Sequence, residues 1–580
     1  MNKYRKHIKK NWYCFILGPF FMTLEAAGEF ILPFINANMI NKGAANGDIP
    51  YILENGFYML LLAIAMMITG VLGAFFAVRG ASRMAAGVRQ DIFDKIQTFS
   101  FRDIDRFTTG SLITRITNDI TQIQNFTQSL LRGCFRSPIM LAGSLVMSFV
   151  LSPDIAKVIL IVVPFLALAT FLIIKTASPR YTIMQKQLDT LNTGIGEAIT
   201  NEKVIKSFVR EEYEKSKFKT INHALMEKSI AALKMMILMQ PVSALAVNVT
   251  TLIVVWLAGR QIMIGGMEVG TLTAFITYLS QVLTALNFLA NIFLQGTRAA
   301  ASNRRIAEVI NTVSEISDEN AAEKEHKIQS GSIEYRNVSF RYFKENKNPV
   351  LDKINLTIQS GDFVGVIGST GSGKTTLVSL IPRLYDADEG EVLVDGINVR
   401  ELSLHELREN VSVVLQKNTL FSGTVTENLR WGNEHATDEE MMNACKIAQA
   451  HSFISSFPDG YDTEIGQGGG NLSGGQKQRL CIARALLKKP KIMILDDSTS
   501  AVDTATDASI RHAFREKLPD ITKIIIAQRI SSVMDADKII VMDKGAIVAC
   551  GTHSELICSC KTYQEIYYSQ KDREEDENHE

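Results

Sequence analysis

The segment Gly368-Ser369-Thr370-Gly371-Ser372-Gly373-Lys374-Thr375 has the spacing G-x-x-x-x-G-K-[ST]. Its glycines let backbone N–H groups close around phosphate oxygens, and Lys374 has the reach for β- and γ-phosphates. The Thr375 hydroxyl, with Thr376 beside it, suits the shell of a Mg²⁺ ion. A second apolar run, Ile492-Met493-Ile494-Leu495, ends in the carboxylate of Asp496, which could join the same shell. Between the two, Leu472-Ser473-Gly474-Gly475-Gln476 is a glycine-containing turn placed to open a helix. The set predicts binding of ATP with Mg²⁺.

A phosphate loop works only between a strand that delivers it and a helix that leaves it. The run Phe363-Val364-Gly365-Val366-Ile367 predicts that strand, and a helix is expected from Lys374. Further short β-branched runs, Ile333-Glu334-Tyr335 and Val338-Ser339-Phe340, alternate with helical patterns downstream. They predict an α/β domain over 331–568 with a largely parallel core, closed by a charged tail at 569–580. A charged, Ala/Glu/Lys-rich linker is expected at 313–330.

Residues 1–312 are of another kind. Six apolar stretches, near 13–35, 56–78, 137–152, 155–175, 236–258 and 270–293, approach or exceed the length a helix needs to cross a bilayer of about 30 Å. They predict an all-α transmembrane domain. The basic segment Lys3-Tyr4-Arg5-Lys6-His7-Ile8-Lys9-Lys10 favours a cytoplasmic N-terminus, and an even number of crossings returns the chain to that side. Two long polar links, near 79–136 and 176–235, then face the cytoplasm. Phe101–Phe107 and Val204–Glu212 at their tips are expected to form short helices, suited either to docking on the ATP domain or to solvent.

The 61 basic and 61 acidic side chains cancel, so net charge gives no reason to expect a nucleic-acid partner. The seven cysteines lack the paired spacing of a zinc site or a disulfide framework.

With its glycine signature Leu472–Gln476 following the phosphate loop, the chain resembles the ABC (ATP-binding cassette) transporters, specifically half-size exporters with six membrane helices ahead of one nucleotide-binding domain. The resemblance covers nearly the whole chain. It implies an adenine-stacking role for Tyr342, a Mg²⁺- or water-contacting role for Gln416, and an interface loop at Ser500-Ala501-Val502-Asp503. It implies that Ser473, Gly474, Gly475 and Gln476 act in trans, on ATP held by a second half-transporter, so that two chains make two ATP sites.

Two positions depart from the family pattern. Members that hydrolyse ATP quickly carry Glu after the Mg²⁺-binding Asp and His after a later strand; here these are Asp497 and Gln528. Asp is one methylene short for a general base, and an amide cannot shuttle a proton as imidazole can. The expected outcome is a degenerate own site in a heterodimer, with the intact signature serving the partner's hydrolytic site. Gly466-Gln467-Gly468-Gly469, where exporters usually have Arg and Glu, is a milder departure.

The fusion order resembles exporters of the cytoplasmic membrane. Glu25 and Glu29 share a helix face at i, i+4 within the first apolar stretch, where ionisable groups are costly unless they meet a cavity or a partner. They suit either a site for amphipathic, cation-bearing cargo, drug- or lipid-like, or a helix–helix contact. A peptide or siderophore exporter, or an ATP-gated regulator, is the alternative function.

Overall fold

The computed structural model describes residues 2–318, 326–343, 348–497 and 502–577, with side chains except at some helix positions within 2–3, 163–178, 235–243, 290–294 and 572–577. Part of the expected linker, at 319–325, and Ser500 and Ala501 of the expected interface loop lie outside the described residues. The chain divides into two compact units, residues 1–97 with 109–312, and residues 98–108 with 313–580.

The first unit is helical throughout. A short basic helix, Asn2–Lys10, leads into Trp12–Asn38, Ile49–Gln97, Arg136–Leu151, Pro153–Thr200, Met239–Met263 and Val269–Asn311. Among the described residues, five helical spans are long and apolar enough to cross a membrane. The remaining expected stretch, 155–175, lies in Pro153–Thr200, several of whose side chains fall outside the described residues. Small residues let the helices approach. Gly18 faces the backbone of Ala77, and a Cβ at Gly270 would lie 2.3 Å from the Ala37 carbonyl oxygen, closer than two atoms can pack. Polar side chains fasten the sixth apolar stretch to the others: Tyr278 donates to the Phe30 carbonyl at 2.7 Å, and Ser144 donates to Gln281 at 2.9 Å.

Nearer the end of that last helix, Asp119 is fully buried. It accepts from Ser302 Oγ and from Arg305 Nε, each at 2.8 Å. A desolvated carboxylate is tolerable only with such partners.

In the second unit a four-stranded antiparallel sheet, in the order Leu351–Ile358, Ile333–Phe340, Glu389–Val394, Ile397–Asn398, stands beside a six-stranded sheet. The larger sheet runs Ala546–Gly551, Lys538–Asp543, Phe363–Gly368, Thr522–Ile526, Ile492–Asp496, Val411–Val414. Its first pair is antiparallel and the other four pairings are parallel. The parallel strands are buried along nearly their whole length, as sheet strands covered on both faces must be.

The short helix Phe101–Phe107 is part of this second unit. Ser100 and Asp103 close it with a reciprocal capping box. Arg102 donates to the Arg341 carbonyl at 2.9 Å, and Tyr385 donates to Asp105 at 3.0 Å. The other tip, Glu202–Ser207, leaves Val204, Phe208, Val209 and Tyr213 exposed in the single chain. One helix, Lys561–Glu577, runs across position 568, and Tyr563 near its start is fully buried.

Asp119→Ala should destabilise the helical unit by about 1–3 kcal/mol, since Arg305 is half-exposed and keeps water as an alternative partner. Thermal unfolding of the solubilised protein reads this directly, and an unchanged midpoint would show that the pair contributes nothing.

Candidate functional site

Four neighbouring parallel strands end side by side. Val366 and Asp496 both stand opposite Ile526, and Leu495 stands opposite Val414. Whatever follows those four carboxyl ends must therefore converge, and the followers are the phosphate loop, Asp497, Gln528 and Gln416. All of them line one cleft, together with Tyr342.

The loop depends on its glycines. Gly368, Gly371 and Gly373 have φ of 154°, 81° and 97°, values at which an L side chain is strained. A Cβ on Gly373 would also press on Leu351 at 2.9 Å and the Val350 carbonyl at 3.0 Å, whereas Gly371 faces open space. The expected helix begins at Lys374 and is short, Lys374–Ser379. The Lys374 amino group reaches back to the carbonyls of Gly368 and Ser369, both at 2.9 Å. Ser372 Oγ is buried and has no hydrogen-bond partner among the described residues.

Thr375 donates to Asp496 Oδ1 at 3.1 Å. Burial pushes the Asp496 carboxyl above its ordinary value, against the Thr375 hydrogen bond and with help from Asp497. Burial likewise lowers Lys374, against the attraction of Asp496 and Asp497. A triphosphate beside Lys374 and a divalent cation beside Asp496 would each stabilise the charged form. The donor set fits Mg²⁺: Thr375, Asp496 and Gln416 supply hard oxygens, and Mg²⁺ keeps waters and phosphates as its remaining ligands. Bound there, the ion would neutralise phosphate charge. Among the described residues no cluster of three or more His, Cys, Asp or Glu forms a separate metal site.

Asp497 sits at φ 48° with its N–H on the Ile526 carbonyl at 3.0 Å. Its Oδ2 accepts from Gln528 Nε2 at 2.7 Å and from Gln416 Nε2 at 3.5 Å. The two departures noted in the sequence are thus bonded to each other. Tyr342 bonds Thr376 at 3.0 Å, and its ring meets Phe340 and Tyr385 edge to face. Burial and the bond to Asp105 raise the Tyr385 hydroxyl, which favours its role as donor.

The signature residues stand apart from this set. Ser473 caps the helix Gly474–Leu487, in a reciprocal box with Gln476. Within the described part of the interface loop, Asp503 caps Thr504–Lys517 through the Thr506 N–H at 2.9 Å.

In the helical unit, Glu25 and Glu29 meet Arg136. The guanidinium bonds Glu29 Oε1 and lies 3.7 Å from Glu25 Oε2. Sequence reasoning missed Arg136, which directly precedes the stretch 137–152; a cation at the mouth of an apolar helix was the available signal. Gln281 donates to the Glu29 carbonyl at 2.7 Å, which locks the helices together.

Gly373→Ala should weaken nucleotide binding at least about tenfold, because strain and contact add, while Gly371→Ala should cost only the ~1–2 kcal/mol of a left-handed side chain. Titration with a fluorescent ATP analogue compares them; equal losses would show that the contact with Leu351 is immaterial.

Comparison with known proteins extends this picture. Residues 15–286 match the family model described as ABC transporter transmembrane region, and 351–500 match that described as ABC transporter. The chain is 37% identical over 557 residues to the Bacillus subtilis (strain 168) protein named Uncharacterized ABC transporter ATP-binding protein YfiB, covering 96% of each chain. It is 35% identical to Putative multidrug export ATP-binding/permease protein YgaD of the same organism, over 85% of each. A solved structure described as a bacterial Atm1-family ABC exporter with ATP bound aligns with TM-score 0.81 and 25% identity, over 97% of this chain and 98% of that one.

Proposed function

Since the chain belongs to the ABC transporter family, as a half-size exporter whose ATPase domain couples hydrolysis to transport, we propose that it is the slow-site subunit of a heterodimer. Its own phosphate loop holds ATP with Mg²⁺ and turns it over slowly, while Ser473–Gln476 complete the partner's hydrolytic site.

The observation that carries this reading is the bond between Gln528 and Asp497 at 2.7 Å. A general base must have its carboxylate free to take a proton from water, and here one oxygen of a shortened side chain already accepts an amide N–H. A displacement of about 1 Å from the reacting water is alone worth roughly 10²-fold in rate. The signature helix, by contrast, keeps its full capping geometry. Pairing with a second chain is also supported by the exposed apolar tip at Val204, Phe208 and Val209, a surface that a partner domain would cover.

The cargo we propose is an amphipathic small molecule, drug- or lipid-like, that bears positive charge and is moved outward across the cytoplasmic membrane, with both termini in the cytoplasm. YgaD's name as a putative multidrug exporter supports the class. The charge preference rests on Glu25, Glu29 and Arg136: two carboxylates against one guanidinium leave an excess negative charge, and Glu29 Oε2 is buried without a hydrogen-bond partner among the described residues.

Replacing both departures, Asp497→Glu with Gln528→His, should raise the steady-state ATPase rate of the purified chain by about tenfold to a hundredfold. If the unmodified chain alone already hydrolyses ATP and transports vigorously, the slow-site reading is wrong. For the cargo, Glu29→Gln should slow uptake of a cationic dye into inverted vesicles severalfold and leave a neutral amphiphile unaffected. Equal loss for both would assign the pair to helix packing.

A further inference from the structure

The site's last contact comes from the C-terminal helix, and no motif announces it. Gln570 and Ile566, on Lys561–Glu577, line the same cleft as the phosphate loop. The Gln570 side chain spans the segment that carries Gln528: its Nε2 donates to the Gln528 carbonyl at 2.7 Å, and its Oε1 accepts from the Ile530 N–H at 2.8 Å. One amide thus satisfies a free carbonyl and a free N–H on either side of Arg529, where the chain leaves strand Thr522–Ile526 and enters the turn Ile530–Ser532. The helix that presents Gln570 is itself held, because buried Tyr563 is bonded to His553 at 2.7 Å and Gln564 donates to the Ile557 carbonyl at 2.7 Å.

We infer that Gln570 is a positioning residue for recognition of the terminal phosphate. By fixing the backbone of Gln528 from both sides, it keeps the Gln528 amide at the phosphate end of the cleft, where the same Nε2 that meets Asp497 can donate to a γ-phosphate oxygen. The inference rests on the proposal that this site retains ATP, and it adds a residue through which the C-terminal helix contributes to telling ATP from ADP. Only glutamine meets the geometry. Glutamate accepts from Ile530 but offers the Gln528 carbonyl no donor, asparagine is one methylene short, and methionine fills the space with neither bond.

The test uses the full-length protein in nanodiscs and measures binding of Mg²⁺ with ADP and with a non-hydrolysable ATP analogue. Gln570→Met should lower the preference for the triphosphate about threefold to tenfold, the worth of one hydrogen bond to the terminal phosphate, with ADP affinity unchanged. Gln528→Ala should do the same, and the double variant should lose no more than either alone. Gln570→Glu, which preserves the helix and one bond, should fall between and stands in should the methionine variant fold poorly. A loss with Gln528→Ala but none with Gln570→Met overturns the positioning role and leaves ATP retention at the site intact. Equal weakening of both nucleotides overturns it in favour of a purely structural contact. An unchanged preference in every variant overturns the role of Gln528 at the γ-phosphate as well.

Discussion

The parallel pairing of Phe363–Gly368, Thr522–Ile526, Ile492–Asp496 and Val411–Val414 is the constraint on which the nucleotide site depends. Parallel strands in register end at the same level, so residues separated by more than a hundred positions arrive at one rim. The four ends contribute backbone N–H groups and an ammonium, two carboxylates, and two glutamine amides. Burial of the strands on both faces holds that level rigidly, and the groups at the rim inherit it.

Burial at the rim has an electrostatic consequence. Lys374 and Asp496 lie where water is scarce, and each has its charged form disfavoured by desolvation. Phosphate oxygens and a divalent cation bound there would restore what was lost, through opposite charges that the fold has already dehydrated. Asp497, one residue further on, accepts from the side-chain amides of Gln528 and Gln416.

The helical unit meets the same problem with a different answer. There, carboxylates that folding desolvates are met by arginines from other helices, Arg136 for Glu25 and Glu29, and Arg305 for Asp119. For Asp119, Ser302 and Arg305 supply the compensation in full view of the structure. For the Glu25–Glu29 pair one guanidinium serves two carboxylates.

Some of this was legible in the residues alone. The phosphate loop, the strand before it, Asp496 and the signature are each runs of neighbours whose chemistry depends on local spacing, and apolar stretches of membrane length report themselves by composition. The α/β class and the exporter family followed from those runs and their order. Tertiary structure alone decided the rest. Asp497 and Gln528 were visible as unusual residues, but their mutual bond follows from strand register. Gln570 sat in what read as a charged tail, and Arg136 in the margin of a hydrophobic stretch. Nothing local marks a glutamine as a clamp or an arginine as a counter-ion, because those roles belong to the distant backbone or carboxylate that folding brings within 3 or 4 Å.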